Sequence, residues 1–183
     1  MSDVPAPGVD PDWFPYAVMG AVWNQAGTER TELGQLLARA KDDHDEVAIA
    51  TLSERFVEWG SIWADPGDAL VIPVPASPDR PNVLVERMAA GLAQRWGVTT
   101  ETFLVRHNVT PRMRDIAPAD RAALARAAGY ETTGSLVGAS VMLVDDVMVT
   151  GATLHQVARV LQAAGVSSLQ ALVLARSQRR DMA

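Results

Sequence analysis

The run V-M-L-V-D-D-V-M-V-T-G-A-T-L at 141–154 constrains this chain more than any other stretch. Four apolar residues at 141–144 read as a fully buried strand. Two carboxylates, Asp145 and Asp146, stand where that strand ends, and a turn of small and hydroxyl residues leads from them into a helix. Leu154, Val157, Ala158 and Leu161 share one face of that helix, Gly165 closes it, and a second buried run follows at 169–174. Strand, turn, helix and strand in this order fit a parallel sheet covered by helices, with ligands at the carboxyl ends of the strands.

The turn itself suits an anion. Amides at a helix start are unpaired and carry the positive end of the helix dipole, so a phosphate monoester is held there without a lysine. Val149 and Ala152 offer backbone, Gly151 lets the main chain come close, and Thr150 and Thr153 add hydroxyl donors. Two carboxylates beside a phosphate repel it unless something lies between them. A ribose fits: its 2- and 3-hydroxyls donate to Asp145 and Asp146 while its 5-phosphate reaches the turn. The spacing is wrong for a Walker A loop, which also needs a lysine, and no G-x-G-x-x-G occurs for a dinucleotide site. A receiver-type acid pair belongs in the first strand of a chain, not at 145 of 183 residues. The bland alternative is a solvated acidic turn with Thr153 as a helix cap.

Upstream, 1–12 is rich in proline and aspartate and reads as a flexible leader. From 13 to 66 the spacing is helical, with Leu33, Leu36, Leu37 and Ala40 on one face and Ala48, Leu52, Phe56, Trp59 and Trp63 on another. The texture changes at Ala69. A-L-V-I-P-V-P is a short buried strand, A-S-P-D-R-P a turn, and Val85, Met88, Ala89, Leu92 and Trp96 one face of a helix that Gly97 ends. Residues 102–105 form a second short apolar run. A charged, arginine-rich connection at 106–134 follows, of a length that is usually functional or mobile. The expected architecture is α/β and Rossmann-like: one domain over 13–183, with a helical N-terminal part at 13–66 and a core sheet at 69–175.

A length of 183 residues suits one core. The net charge of −6 is the reverse of a nucleic-acid footprint, which argues against direct nucleic-acid binding. The sequence contains no cysteine, so disulfides, thiolate-bound zinc and thiol nucleophiles are excluded. His44, His107 and His155 lack metal-ligand spacing, and no protein metal site is expected. Neither a signal peptide nor an apolar run of membrane-spanning length is present, which leads to the expectation of a cytoplasmic protein without membrane contact.

The segment 141–153 resembles the phosphoribosyl pyrophosphate (PRPP) binding motif of type I phosphoribosyltransferases: hydrophobics, two acids, then threonine, glycine, a small residue and threonine. Val149 departs from it, standing where many members carry a threonine. The order of elements is most similar to the competence protein F (ComF) branch, on V-I-P-V-P-A-S-P-D-R-P-N-V-L-V-E-R-M-A-A-G-L-A and L-V-R-H-N-V-T-P-R-M-R-D-I-A-P-A-D-R-A-A-L, with a faint likeness at 36–41. The branch's zinc ribbon is missing, its arginine-rich stretch is thinned to Arg80, and Arg112 stands where a glutamine is common.

The resemblance implies the parallel-sheet type I phosphoribosyltransferase fold and a Mg2+-dependent transfer of phosphoribosyl from PRPP to a nitrogenous acceptor, with release of pyrophosphate. In that reading the backbone and hydroxyls of Val149, Thr150, Gly151, Ala152 and Thr153 anchor the 5-phosphate. Asp145 and Asp146 hold and stabilise the cationic ring, and Ala76, Ser77 and Arg80 receive pyrophosphate with Mg2+ carried on PRPP. Arg106, Arg112 and Arg114 close a lid that excludes water. The alternative is a non-catalytic PRPP or nucleotide regulator, or a DNA-uptake accessory protein. A symmetric dimer is the default expectation.

Overall fold

The computed structural model describes residues 14–100, 102–112 and 115–177. The expected leader at 1–12, and Arg114, therefore lie outside the described residues. The elements run β1 (Tyr16–Ala21), α1 (Glu32–Asp42), α2 (Glu46–Trp63), β2 (Leu70–Pro73), α3 (Val83–Trp96), β3 (Leu104–Arg106), a 3-10 turn (Pro118–Asp120), α4 (Arg121–Ala127), β4 (Tyr130–Thr132), β5 (Ser140–Met148), α5 (Ala152–Ala163) and β6 (Ser168–Arg176).

Strands β1, β6, β5 and β2 form one sheet in that order, every pairing parallel. β5 lies inside it, and its apolar run explains why: side chains on both faces must be buried. Val141 and Leu143 join Leu154, Val157 and Leu161 of α5 in one core. Met142 and Val144 project the other way, into a core with Leu37, Leu52, Phe56, Met88 and Leu92 from α1, α2 and α3. This alternation is the period-2 pleat of a strand, and it governs where the acids go. β2 runs beside β5 only as far as Val144, where the Val74 amide makes the last bond across the gap, 2.9 Å. Beyond that point β5 continues with a partner on the β6 side alone, leaving a crevice at its carboxyl end.

The helices start and stop where side chains allow. Thr31 caps α1 by accepting from the Gly34 amide at 3.0 Å, and Asp45 caps α2 by accepting from Val47 and Ala48 at 2.9 and 3.1 Å. Gly97, at φ 68°, closes α3 in the left-handed conformation. The turn from α1 to α2 is tight: the amides of Asp43 and Asp45 both reach the Arg39 carbonyl, the Arg39 guanidinium binds Asp45, and His44 is held at φ 52°.

Three sequence expectations change, and one is filled in. The helical reading from residue 13 fails at β1, where Y-A-V-M-G-A pairs with β6; six apolar residues carry no decisive period, and the sheet edge supplies the hydrogen bonds. The run at 102–105 is not a strand of the main sheet. Its ordered part, β3, pairs antiparallel with β4 in a separate two-stranded ribbon. The 106–134 connection, read from its length as functional or mobile, also holds a helix: R-A-A-L-A-R-A folds as α4 and packs on α5. Finally, β5 does not stop at the acids: Val147 and Met148 pair with Ala175 and Arg176 of β6. No helix among the described residues is long and apolar enough to cross a membrane.

Candidate active site

Because β5 runs through Asp145 and Asp146, the pleat sends the two carboxylates to opposite faces of the sheet. Both are buried, at 9% and 5% exposure. Asp146 faces α1 and α3. Its Oδ2 accepts from the Lys41 ammonium at 2.6 Å and from the Asn82 amide at 2.6 Å. Burial alone raises its pKa, but the Lys41 charge, the Lys41 and Asn82 hydrogen bonds and the Val147 amide outweigh it and hold Asp146 below the usual carboxylate range.

Asp145 is on the other face. Its Oδ1 accepts from the Asp146 amide at 2.9 Å, and no donor among the described residues reaches Oδ2. Burial, and then the charge of Asp146, push Asp145 up to about 8, against the lowering effect of Lys41. Above Asp145 stands the ribbon. Tyr130 of β4 is pushed up to about 12, chiefly by burial, with the Asp145 charge adding and Arg106 opposing. The Arg106 guanidinium lies 5.9 Å from the Tyr130 ring centre. The surroundings thus favour the ionised form of Asp146 and the protonated form of Asp145.

The turn after β5 leads into α5 as the sequence predicts. Gly151 adopts φ 78° and ψ 0°, which aims the chain into α5 without a side-chain cap. The amides of Val149, Thr150, Gly151, Ala152 and Thr153 donate to no backbone carbonyl among the described residues. Thr150 is exposed, Thr153 half-buried. Five amides and two hydroxyls at a helix start are groups of the kind that suit an anion. Gly151→Val, which forces a branched side chain into the left-handed region, is expected to cost about 1–2 kcal/mol in urea unfolding.

The pyrophosphate-side residues form a compact turn, in which the Arg80 amide reaches the Ser77 carbonyl at 2.8 Å beside Ala76. Ser77 and Arg80 are committed to protein partners. The Ser77 hydroxyl donates to Asp79, and the Arg80 guanidinium donates to the Thr110 carbonyl at 2.5 Å and touches Asp79 at 3.3 Å. Arg106 binds the Thr110 hydroxyl and the Asn108 carbonyl. Thr110, 7% exposed, therefore clasps the connection onto the turn after β2. Arg112 does not join the acid pair: it pairs with Asp42 at the end of α1, 3.2 Å away.

Sequence reasoning missed Lys41 and Asn82. Lys41 reads as a cation placed to favour a helix C-terminus, with only the faint likeness at 36–41 to mark it, and Asn82 is hidden in a cluster of turn formers. Only the folded chain brings them to Asp146.

A model of the phosphoribosyl transferase domain family matches residues 87–182, more than half of the chain. No curated protein matches. Among solved structures, the chain is similar to an allosteric regulatory enzyme of purine biosynthesis, at 21% identity and a TM-score of 0.47 over 67% of this chain and 25% of that one. It is also similar to a hypoxanthine phosphoribosyltransferase from Staphylococcus aureus, at 14% identity and 0.46 over 74% and 68%. A third is a glutamine PRPP amidotransferase from B. subtilis, at 21% and 0.46 over 68% and 25%. The chain thus spans about a quarter of the length of the first of these. Its parallel sheet flanked by helices is the α/β phosphoribosyltransferase fold expected from the motif. With the family motif read from 141–153 and the family model covering β5, α5 and β6, the chain belongs to the phosphoribosyltransferase family.

Proposed function

We propose that this protein, as a single domain over 13–183, transfers phosphoribosyl from PRPP to a nitrogenous acceptor and releases pyrophosphate. The observation that carries the reading is the junction of β5 and α5, where amides at 149–153 that donate to no backbone carbonyl among the described residues follow directly on two buried acids. The turn holds the 5-phosphate, and the acid pair lies where a hydroxyl-bearing ring would sit. In the reaction the acceptor nitrogen gives its lone pair to C1, the C1–O pair departs with pyrophosphate, and the proton on nitrogen passes to solvent. Positive charge develops on the ring meanwhile, and the negative charge of Asp146 is fixed within the site to oppose it.

Mg2+ fits this site as a ligand-borne ion. Mg2+ carried on phosphate oxygens needs few protein ligands. When bound, it neutralises charge on the departing pyrophosphate. Ala76, Ser77 and Arg80 border that side, and Arg112 and Arg114 belong to the connection that closes it. We place the chain near the ComF branch on the order of its elements, and in the cytoplasm.

One observation favours a second reading, a PRPP-binding regulator without turnover. The Ser77 hydroxyl and the Arg80 guanidinium are engaged by Asp79 and Thr110, so pyrophosphate must displace protein partners to be held there. Calorimetric titration with PRPP and Mg2+, followed by a panel of purine and pyrimidine bases scored by pyrophosphate release, separates the readings. Saturable PRPP binding with turnover on one base is the expected result. Binding without turnover on any base leaves the regulator, and no binding at all defeats both.

A further inference from the structure

We propose that Lys41, with Asn82, is a positioning residue of the PRPP site: by gripping Oδ2 of Asp146 it divides the work of the acid pair, making Asp146 an anchor and Asp145 the acid that takes the ligand's hydroxyl. The inference rests on the PRPP reading given above. Its ground is the opposite orientation of the two carboxylates on β5 and the unequal claims on their oxygens. One oxygen of Asp146 accepts two donors at 2.6 Å, an ammonium from the last turn of α1 and an amide from the entry to α3. Oδ2 of Asp145 accepts none among the described residues.

Lys41 is held to this task by the fold. It stands one residue before the end of α1, where Arg39, Asp45 and the left-handed His44 fix the turn into α2. A helix end that only needed a cation for its dipole does not require so constrained a turn. The Asp146 side chain is 7% exposed, so removing the ammonium leaves a buried carboxylate with neutral donors alone, the amides of Asn82 and Val147. The charged and titratable groups facing the pair are Lys41 from α1, and Tyr130 with Arg106 behind it from the ribbon; Asn82 is neutral.

The test is PRPP titration with Mg2+ on Lys41→Met, Lys41→Arg, Asp145→Asn, Asp146→Asn and the Lys41→Met/Asp146→Asn double variant. Lys41→Met is expected to weaken PRPP about tenfold or more, the cost of losing a charge-assisted hydrogen bond, and Lys41→Arg to restore most of it. The double variant should bind like Lys41→Met alone, because both changes break one contact. Titration of the aspartate carboxyls by carbon NMR supplies a readout that a packing role does not move. Without the Lys41 charge the Asp145 step should shift to higher pH, and Lys41→Arg should return it. Wild-type affinity and an unshifted Asp145 step in Lys41→Met overturn the proposal, as do fully additive effects in the double variant. Should Lys41→Met fail to fold, Asn82→Ala reports on the same oxygen: weaker PRPP binding supports the proposal and unchanged binding overturns it. A wild-type protein that does not bind PRPP defeats the functional reading itself, a different outcome.

Discussion

Asp145→Asn is expected to raise the melting temperature at pH 8 by several degrees while lowering phosphoribosyl transfer about a hundred- to a thousandfold. The stability half follows from linkage. Burial and the neighbouring Asp146 charge raise the folded-state pKa of Asp145 to about 8 from an ordinary 3.8. Between those values the folded chain retains a proton that the unfolded chain has released. The stability this group contributes is therefore complete below about pH 4 and declines as pH rises through 8. Asparagine keeps the shape and still accepts from the Asp146 amide, but it never ionises, so the decline disappears. The gap in melting temperature between variant and wild type should widen from pH 5 to pH 8. A gap that does not change with pH would show that Asp145 is ionised throughout. The activity half follows from the same burial, since an acid kept out of water against its preference is costly unless a ligand uses it.

Gly34→Ala should destabilise the chain by about 3 kcal/mol, near the upper end for an overpacked contact. A Cβ at this position would lie 2.1 Å from the Val22 carbonyl oxygen, and backbone cannot swing aside as a side-chain tip can. That carbonyl also accepts the Thr31 amide at 3.0 Å, so the two ends of the contact are fixed. α1 would have to lift from β1, carrying Lys41 away from Asp146, so PRPP affinity should fall with stability. Urea unfolding beside Gly97→Ala, whose Cβ meets nothing within 4 Å, calibrates the result. The control pays only for its left-handed backbone, about 1 kcal/mol. Equal costs for the two variants would mean that α1 is not seated on Val22.

Residues 141–174 were legible because each level of the pattern agreed. A short apolar run, a glycine with a positive φ and a period of 3.6 all pointed to the same β5, α5 and β6. The strand at 16–21 was not legible, since Y-A-V-M-G-A has no period of its own and becomes a strand only against β6. The acid pair was half legible. Its place after a core strand was plain, yet its burial and the opposite aim of the two carboxylates depended on whether the strand continued. Val147 and Met148 held that information as two further apolar residues, readable as turn or strand until paired with Ala175 and Arg176. Nothing local announced that Lys41 and Asn82 belong to Asp146, because a long-range partner leaves no trace in spacing.

The placement of β1 also bears on how the chain comes together during synthesis. Trp23, just past β1, donates to the hydroxyl of Ser177, just past β6, across 154 residues of sequence. A strand made early must wait for its neighbour until nearly everything between them has left the ribosome, and closing so long a loop is slow. In that interval Y-A-V-M-G-A is an uncovered apolar segment with unpaired backbone, the kind that chaperones shield and that aggregates form from.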